Sequence, residues 1–401
     1  MKDIAIPEKD IATLNVYLKG KGFDLSEKQT FEESVAEHVW IERDGLFSLR
    51  EHSKPESLDF LYIDDVSETK FYPLMIKEML ANCKVGGFLI FKIDETKSLL
   101  TFKEFCDEVR VLVQDKAALR KEDRKEQILV LQKTKQSLIP QDSVDRWTFG
   151  IISDGKKIEQ IDQQIAAIRK LRIPEYEIII CGVYKQTYDT DIKYIYFNDF
   201  GRGWITRKKN VILENAKYEN VVVMHDRILL SENFYEGMKK FGNNFELLCC
   251  KTVFNEDTEK RCGDWITYGT NFWKAPHMGL LDYRDWDKHW WVDGGFYILK
   301  KSTWRRAQWD EFLLWSQGED IKLSEDWKKQ GVVVRFNQFS SARSLSWRHG
   351  NFSMYVFNPH KLGERKYPHM KEFYDSGEYY AKQGAKKILR KFGVYPWKKT
   401  P

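Results

Sequence analysis

The chain has 401 residues, 42% hydrophobic, 14% aromatic and 31% charged, with a formal net charge of +5. That composition builds sizeable cores and excludes domain-scale disorder, and the length implies roughly two to three domains. The mild basic balance, with no basic run interleaved with aromatics, argues against a nucleic-acid partner.

Six scattered cysteines without CxxC spacing read as reduced, packed thiols in a cytosolic protein. No stretch nears the roughly 18 apolar residues of a spanning helix, so membrane contact is expected to be peripheral at most. Residues 1–138 read as one α/β module. It should carry an amphipathic helical stretch near 25–37, a strand at LDFLYIDD (58–65), a helix at 71–82 and a strand at VGGFLIFKI (85–93). A charged helical stretch is expected at DEVRVLVQDKAALRKEDRKE, then a strand at QILVLQKT. SLIPQDSVDRW (137–147) is polar, contains a proline and separates two strand runs, so the boundary falls there, with 139–146 as linker.

A second module, 147–355, alternates more clearly. Its elements are the strand WTFGIISDG, the helix KKIEQIDQQIAAIRKL, the strands EYEIIICG and IKYIYFND, the helix ITRKKNVILENAK and the strand ENVVVMHDR. Strands alternating with crossover helices imply a parallel sheet, whose ligands lie beyond the strands' carboxyl ends. Ser153 and Asp154 of SDG, and His225, Asp226 and Arg227 of MHDR, therefore stand at ligand positions. The aromatic tract 264–295 offers flat faces that stack on sugar rings, or else it is core packing. Gly294 and Gly295 open the strand FYILKK, and GEDIKLSEDW places Glu319 and Asp320 at a helix start. There they are either caps favoured by the helix dipole or a carboxylate able to take a hydroxyl proton, and spacing alone leaves both open. The C-terminal segment 356–401 ends in AKKILRKFGVYPWKKTP, a basic and aromatic alternation that suits an anionic membrane surface or a tail docked on the body.

In this order, the acidic turn, the Gly-Gly strand, the ED helix start and the histidine of SWRHG resemble the GT-A glycosyltransferases. The likeness is to the inverting family 2 type and runs over about residues 147–350. The resemblance implies a Rossmann-like nucleotide-diphosphosugar transferase fold with Asp320 as catalytic base, Glu319 beside it, and Glu325 and Asp326 as the solvated next turn. It implies donor contacts from Ser153, Asp154, Lys208, Asn210, His225, Asp226 and Arg227, and an acceptor side at Trp291, Asp293, Gly294 and Gly295. The implied donor is a UDP-, GDP- or dTDP-linked sugar, and the implied acceptor is a glycan or lipid-linked oligosaccharide. Mn2+ or Mg2+ would sit on Asp226 and His349. Where the family reads Asp-x-Asp this chain reads His225-Asp226-Arg227. Either Asp226 in a shifted loop is the metal-binding acid, or Arg227 replaces the metal. The family's acidic base contact is Cys181-Gly182 here, which leaves the nucleobase open.

In the first module, LDFLYIDDVSETKFYPLMIKEMLANCKVGGFLIFKID is similar to the latter half of class I S-adenosylmethionine methyltransferases. The cofactor half offers only a lone Gly20-x-Gly22 with Glu42 beyond it. A truncated, inactive Rossmann-like domain is therefore expected, serving assembly or acceptor positioning, without S-adenosylmethionine. The whole reads as an inverting glycosyltransferase of surface polysaccharide synthesis, cytoplasmic and held at the inner membrane face by its tail. The rivals are a methyltransferase with a carbohydrate-binding partner domain and a non-catalytic glycan- or nucleotide-binding protein. Oligomeric state stays open.

Overall fold

The computed structural model describes residues 14–137, 139, 142–185, 189–254, 261–270, 276–345 and 355–357. These residues fall into two units, and both large sheets lie in the first. His349 and the C-terminal basic, aromatic segment lie outside the described residues.

The first module contains β1 (Gly22–Asp24), β2 (Glu37–His38), β3 (Leu58–Ile63), α1 (Tyr72–Asn82), β4 (Cys83–Lys92), α2 (Phe102–Val113), β5 (Ala117–Asp123) and β6 (Ile128–Lys133). Its sheet runs β2-β1-β3-β4-β6-β5, with the first four strands parallel and β6 antiparallel to both neighbours. β3 is buried along its length except at Asp59, as a strand covered on both faces should be. α2 starts where Thr101 and Glu104 form a reciprocal capping box, an arrangement worth about 1 kcal/mol. Its buried stripe of Phe102, Phe105, Val109 and Leu112 follows the helical period.

Two expected helices are absent or shortened. Residues 25–36 form turns, because Asp24 accepts the backbone N–H groups of Ser26 (3.1 Å) and Thr30 (2.6 Å) and Asp65 accepts that of Glu27 (2.9 Å). Such local side-chain bonds compete with a helical ladder. The charged stretch 107–126 is helical only to Val113. Gln114 turns with φ 51°, and the rest becomes β5, paired with β6. Sheet-edge pairing there overrides helix propensity.

The second module contains β7 (Arg146–Asp154), α3 (Ile158–Lys170), β8 (Glu175–Val183), β9 (Ile192–Tyr196), α4 (Ile205–Asn215), β10 (Asn220–His225), β11 (Ile228–Leu230), α5 (Phe234–Phe241) and β12 (Leu247–Phe254). β13 (Ile266–Thr270), β14 (Pro276–Leu281), β15 (Trp290–Trp291), β16 (Phe296–Lys300), α6 (Lys301–Arg306), α7 (Glu319–Lys329), β17 (Val334–Ser344) and β18 (Tyr355–Phe357) follow. The main sheet runs β11-β17-β12-β16-β10-β7-β8-β9. β10, β7, β8 and β9 are parallel, and β16 is antiparallel to β10 and β12. From β7 the chain moves outward through β8 and β9, then returns to the other side of β7 as β10. This makes the β7/β10 junction a topological switch point, the place where open α/β sheets bind ligands beyond the carboxyl ends of their strands.

The α/β class expected from the sequence is thus what the structure has. The two modules, however, share one hydrophobic cluster. Phe47, Leu74, Met75 and Leu112 of the first pack in it with Trp286, Val333 and Phe336 of the second. Part of the expected linker is also pinned to the second module: Asp142 accepts from Lys300 Nζ (2.5 Å), and Asp145 from the Tyr235 hydroxyl (2.5 Å). All six cysteines are buried and unpaired with one another.

Candidate active site

At the switch point the turn after β7 meets the turn after β10. Ser153 is buried, donating to Val183 O (2.6 Å) and accepting from Gly155 N (3.0 Å), so it shapes the turn. Asp154 is exposed and paired with Lys156 at 3.1 Å. Burial would raise its pKa, but the backbone and side chain of Lys156 outweigh that and hold it below the ordinary value. On the β10 side, Arg227 Nη1 hydrogen-bonds His225 Nδ1 at 3.1 Å, and Asp226 lies 3.7 Å from Lys157 Nζ. Burial pushes the Asp226 carboxyl up, with Lys157 drawing it partly back.

The second wall of the site comes from the start of β16 and the start of α7. Gly294 N donates to Asp320 Oδ2 (3.2 Å), and His225 N donates to Gly295 O (3.0 Å). Both glycines are required by close approach. A Cβ on Gly294 would stand 2.7 Å from Glu319 Oε1, and one on Gly295 would stand 2.7 Å from Arg227 Nη2 and 3.0 Å from Asp293 Oδ1. Asp293 accepts from Gly295 N (2.6 Å) and faces Arg227 Nη2 at 4.0 Å. Two segments far apart in sequence, His225–Arg227 and Glu319–Asp320, are therefore drawn together at the Gly294–Gly295 pair. Arg227 and Asp293, with Cys249, Asp264 and Phe296, line a small solvent-open pocket.

Burial, then the charges of Glu319 and Asp293, raise the pKa of Asp320 to about 6. Lys209 opposes that rise. Its ammonium is buried, donating to Gly294 O (2.7 Å), paired with Glu319 Oε1 (3.4 Å), and lying 5.1 Å from the Tyr297 ring centre and 5.5 Å from that of Trp309. Desolvation lowers the pKa of Lys209, and Glu319 offsets part of the drop. Sequence reasoning does not single out Lys209, which stands there as the last of a cationic run, Arg207-Lys208-Lys209. The run splits three ways on α4. Arg207 pairs with Glu214 (2.6 Å) and Glu311 (2.9 Å), and Lys208 is buried on Ser153 O (2.9 Å) and Asp199 (3.0 Å), while Lys209 turns toward Glu319. We expect Lys209→Met to move the acid limb of activity upward by about one pH unit, because Asp320 loses a nearby cation. A pH–rate profile checks it.

Other expected contacts are used up internally. Asn210 donates to Trp309 O and Glu311 (2.9 Å each) and accepts from Trp304 Nε1 (3.0 Å), so it ties α4 to residues 304–311. Trp291 is buried with Ile266, Leu280 and Ile321. Trp265, Trp286 and Trp290 are also buried, so these four tryptophans of the 264–295 tract are core and not a surface wall. Exposed aromatics of the second module include Phe200, Phe312 and Trp315, and the last two lie in the segment leading into α7. Glu325 and Asp326 pair with Lys328 and Lys322 (2.6 Å each), as a solvated turn would. Ser324 is a positioning residue that sequence reasoning missed. Its hydroxyl donates to Asp320 O (2.8 Å) and accepts from Val292 N (3.2 Å), joining the two segments of the second wall.

No protein-family model matches the chain, and no curated protein sequence matches it. Among solved structures, similarity is found to GalNAc-T7 with UDP, GalNAc and Mn2+ (12% identity, TM-score 0.39, covering 53% of this chain and 45% of that one). It is also found to S. aureus TarS 1-349 (11%, 0.35, 50% and 60%) and to S. aureus TarS (13%, 0.34, 50% and 37%). This chain thus spans less than two thirds of each of these structures. No helix among the described residues is long and apolar enough to cross a membrane.

Proposed function

We propose that the chain is a glycosyltransferase of the GT-A type that moves a sugar from a nucleotide-sugar donor to an acceptor hydroxyl, with inversion. The observation that carries this reading is the meeting at Gly294–Gly295, where a carboxylate raised to about 6 and the Arg227 guanidinium close on the same double glycine beside the carboxyl end of β10. The carboxyl end of a switch-point strand suits a nucleotide, and a half-buried carboxylate beside it suits a general base.

In the proposed step, the acceptor hydroxyl gives its proton to Asp320 as its oxygen bonds to the anomeric carbon. The bond from that carbon to the phosphate oxygen breaks, and the nucleoside diphosphate leaves with the electron pair. Glu319, neutralised by Lys209, is a positioning residue. The donor is taken to be a UDP-, GDP- or dTDP-sugar and the acceptor a glycan or lipid-linked glycan. For the first module we propose a supporting role, which its shared core with the second favours over independent methyl transfer.

The test is release of nucleoside diphosphate from a panel of UDP-, GDP- and dTDP-sugars by the full chain, with oligosaccharide acceptors added. One donor should be turned over, and turnover of none of them would sink the reading. Because the base must be ionised, kcat/KM should be flat above about pH 7 and fall about tenfold per unit as pH drops through about 6. A flat profile down to pH 5 would remove Asp320 from that role.

A further inference from the structure

We infer that the donor's diphosphate is held by protein cations, Arg227 together with Lys157, where a divalent metal ion would otherwise stand, and that nucleotide binding here needs no metal. This rests on the donor-binding reading above and takes it one step further, since that reading left the counter-charge of the leaving group open.

A hard divalent ion needs several oxygen or nitrogen ligands converging on one point. Among the described residues no group of three His, Cys, Asp or Glu side chains is arranged to hold one. The side chains at the turn also do not fit the task. His225 Nδ1 faces the Arg227 guanidinium, which donates to it at 3.1 Å, so that nitrogen is not presented to a metal. The Asp226 carboxylate already faces the Lys157 ammonium at 3.7 Å. Two fixed positive charges therefore flank the carboxylate that would have to coordinate the ion, and both repel it.

The same arrangement suits a diphosphate. Arg227 lines the pocket, and its Nη2 stands 4.0 Å from Asp293, longer than a hydrogen bond, so a phosphate oxygen can compete for that edge of the guanidinium. A planar guanidinium fork binds phosphate oxygens in pairs and stays charged at any working pH. Lys157, immediately before α3, brings a second cation to the same turn. Together they bring two positive charges to the leaving diphosphate, each shared with a carboxylate, Asp226 or Asp293.

Calorimetric titration of the full chain with UDP, GDP and dTDP, first in EDTA and then with MnCl2, decides the matter. One nucleotide should bind in EDTA, and Mn2+ should change its Kd by less than about threefold. Arg227→Met should weaken that binding by about tenfold or more, with Arg227→Lys in between, whereas Asp226→Asn should tighten it, because Lys157 then loses the carboxylate that competes with the diphosphate. The Lys variant keeps the test open should the Met variant misfold. Binding that appears only with Mn2+, or that is lost in Asp226→Asn, would overturn the inference while leaving the donor-binding reading intact. Unchanged binding in Arg227→Met would also overturn it, and no binding in either buffer would overturn both.

Discussion

Asp320→Asn is expected to lower kcat by a factor of about 10² to 10⁴ while leaving nucleotide binding in place, and at the same time to make the protein more stable at neutral pH. Both effects come from the same geometry. Asp320 is ionised at pH 7 in a place that disfavours its charge, beside Glu319 and Asp293 and largely out of water. Folding raises its pKa from the ordinary 3.8 to about 6, so above pH 6 its ionised form costs about 2 to 3 kcal/mol. The neutral amide removes that cost. The sign fixes the window: the variant's advantage is full above about pH 6 and disappears as pH falls below about 4, where the native carboxyl is protonated in both states. Thermal unfolding at pH 7.5 and pH 4 measures the second effect, and nucleotide release measures the first. Wild-type turnover in the Asn variant would remove Asp320 as base. Loss of stability at pH 7.5 would mean that its carboxylate is satisfied in a way the geometry does not suggest.

Arg335→Ala should destabilise both modules together, by about 3 to 5 kcal/mol. Arg335 extends from β17 into the seam between the sheets, where its guanidinium bonds Glu78 of α1, Asn244 O (2.9 Å) and Phe47 O (3.1 Å). Only 10% of its side chain and 3% of that of Glu78 are exposed, so truncation strands a buried carboxylate. Other pairs cross the same seam. Lys77 meets Glu246 at 3.0 Å, and Arg284 meets Asp44 at 2.5 Å and Glu42. Urea unfolding followed by tryptophan fluorescence and by far-UV circular dichroism should shift to lower concentration with the two curves still coincident. Two separate transitions would show that the modules are energetically independent despite the shared core. Replacing both partners, as Arg335→Met with Glu78→Leu, should recover part of the loss, because no charge is left buried, while Leu49 N, Asn244 Nδ2, Asn244 O and Phe47 O lose their partners.

The seam also bears on the site. Arg284 and Asp285 touch the first module, and the chain reaches Asp293 only eight residues after Asp285 by way of the buried Trp286, Trp290 and Trp291. The first module therefore buttresses the segment that carries Asp293, Gly294 and Gly295.

Much of the architecture was legible as pattern. The strands at 58–63, 147–154, 175–183 and 220–225 are continuous apolar runs, and α3 and α4 carry the 3.6 period, because burial on two faces or on one stripe leaves a direct trace in residue order. The placement of SDG and MHDR at strand ends, of the double glycine before β16 and of Glu319-Asp320 at the start of α7 also follows from local sequence. What residue order did not determine was which partner each side chain would find across space. Nothing local to 25–36 announces that Asp24 and Asp65 would capture its backbone N–H groups in place of a helix, and 117–123 becomes a strand only because β6 is there to pair with it. Three successive cations on α4 look alike in sequence, yet helix rotation separates them, and only the packed sheet decides that Lys209 is the one buried against Glu319. Periodicity records whether a position is buried; charge pairing, close approach at glycine and a raised carboxylate depend on distances between segments that only the tertiary structure brings together.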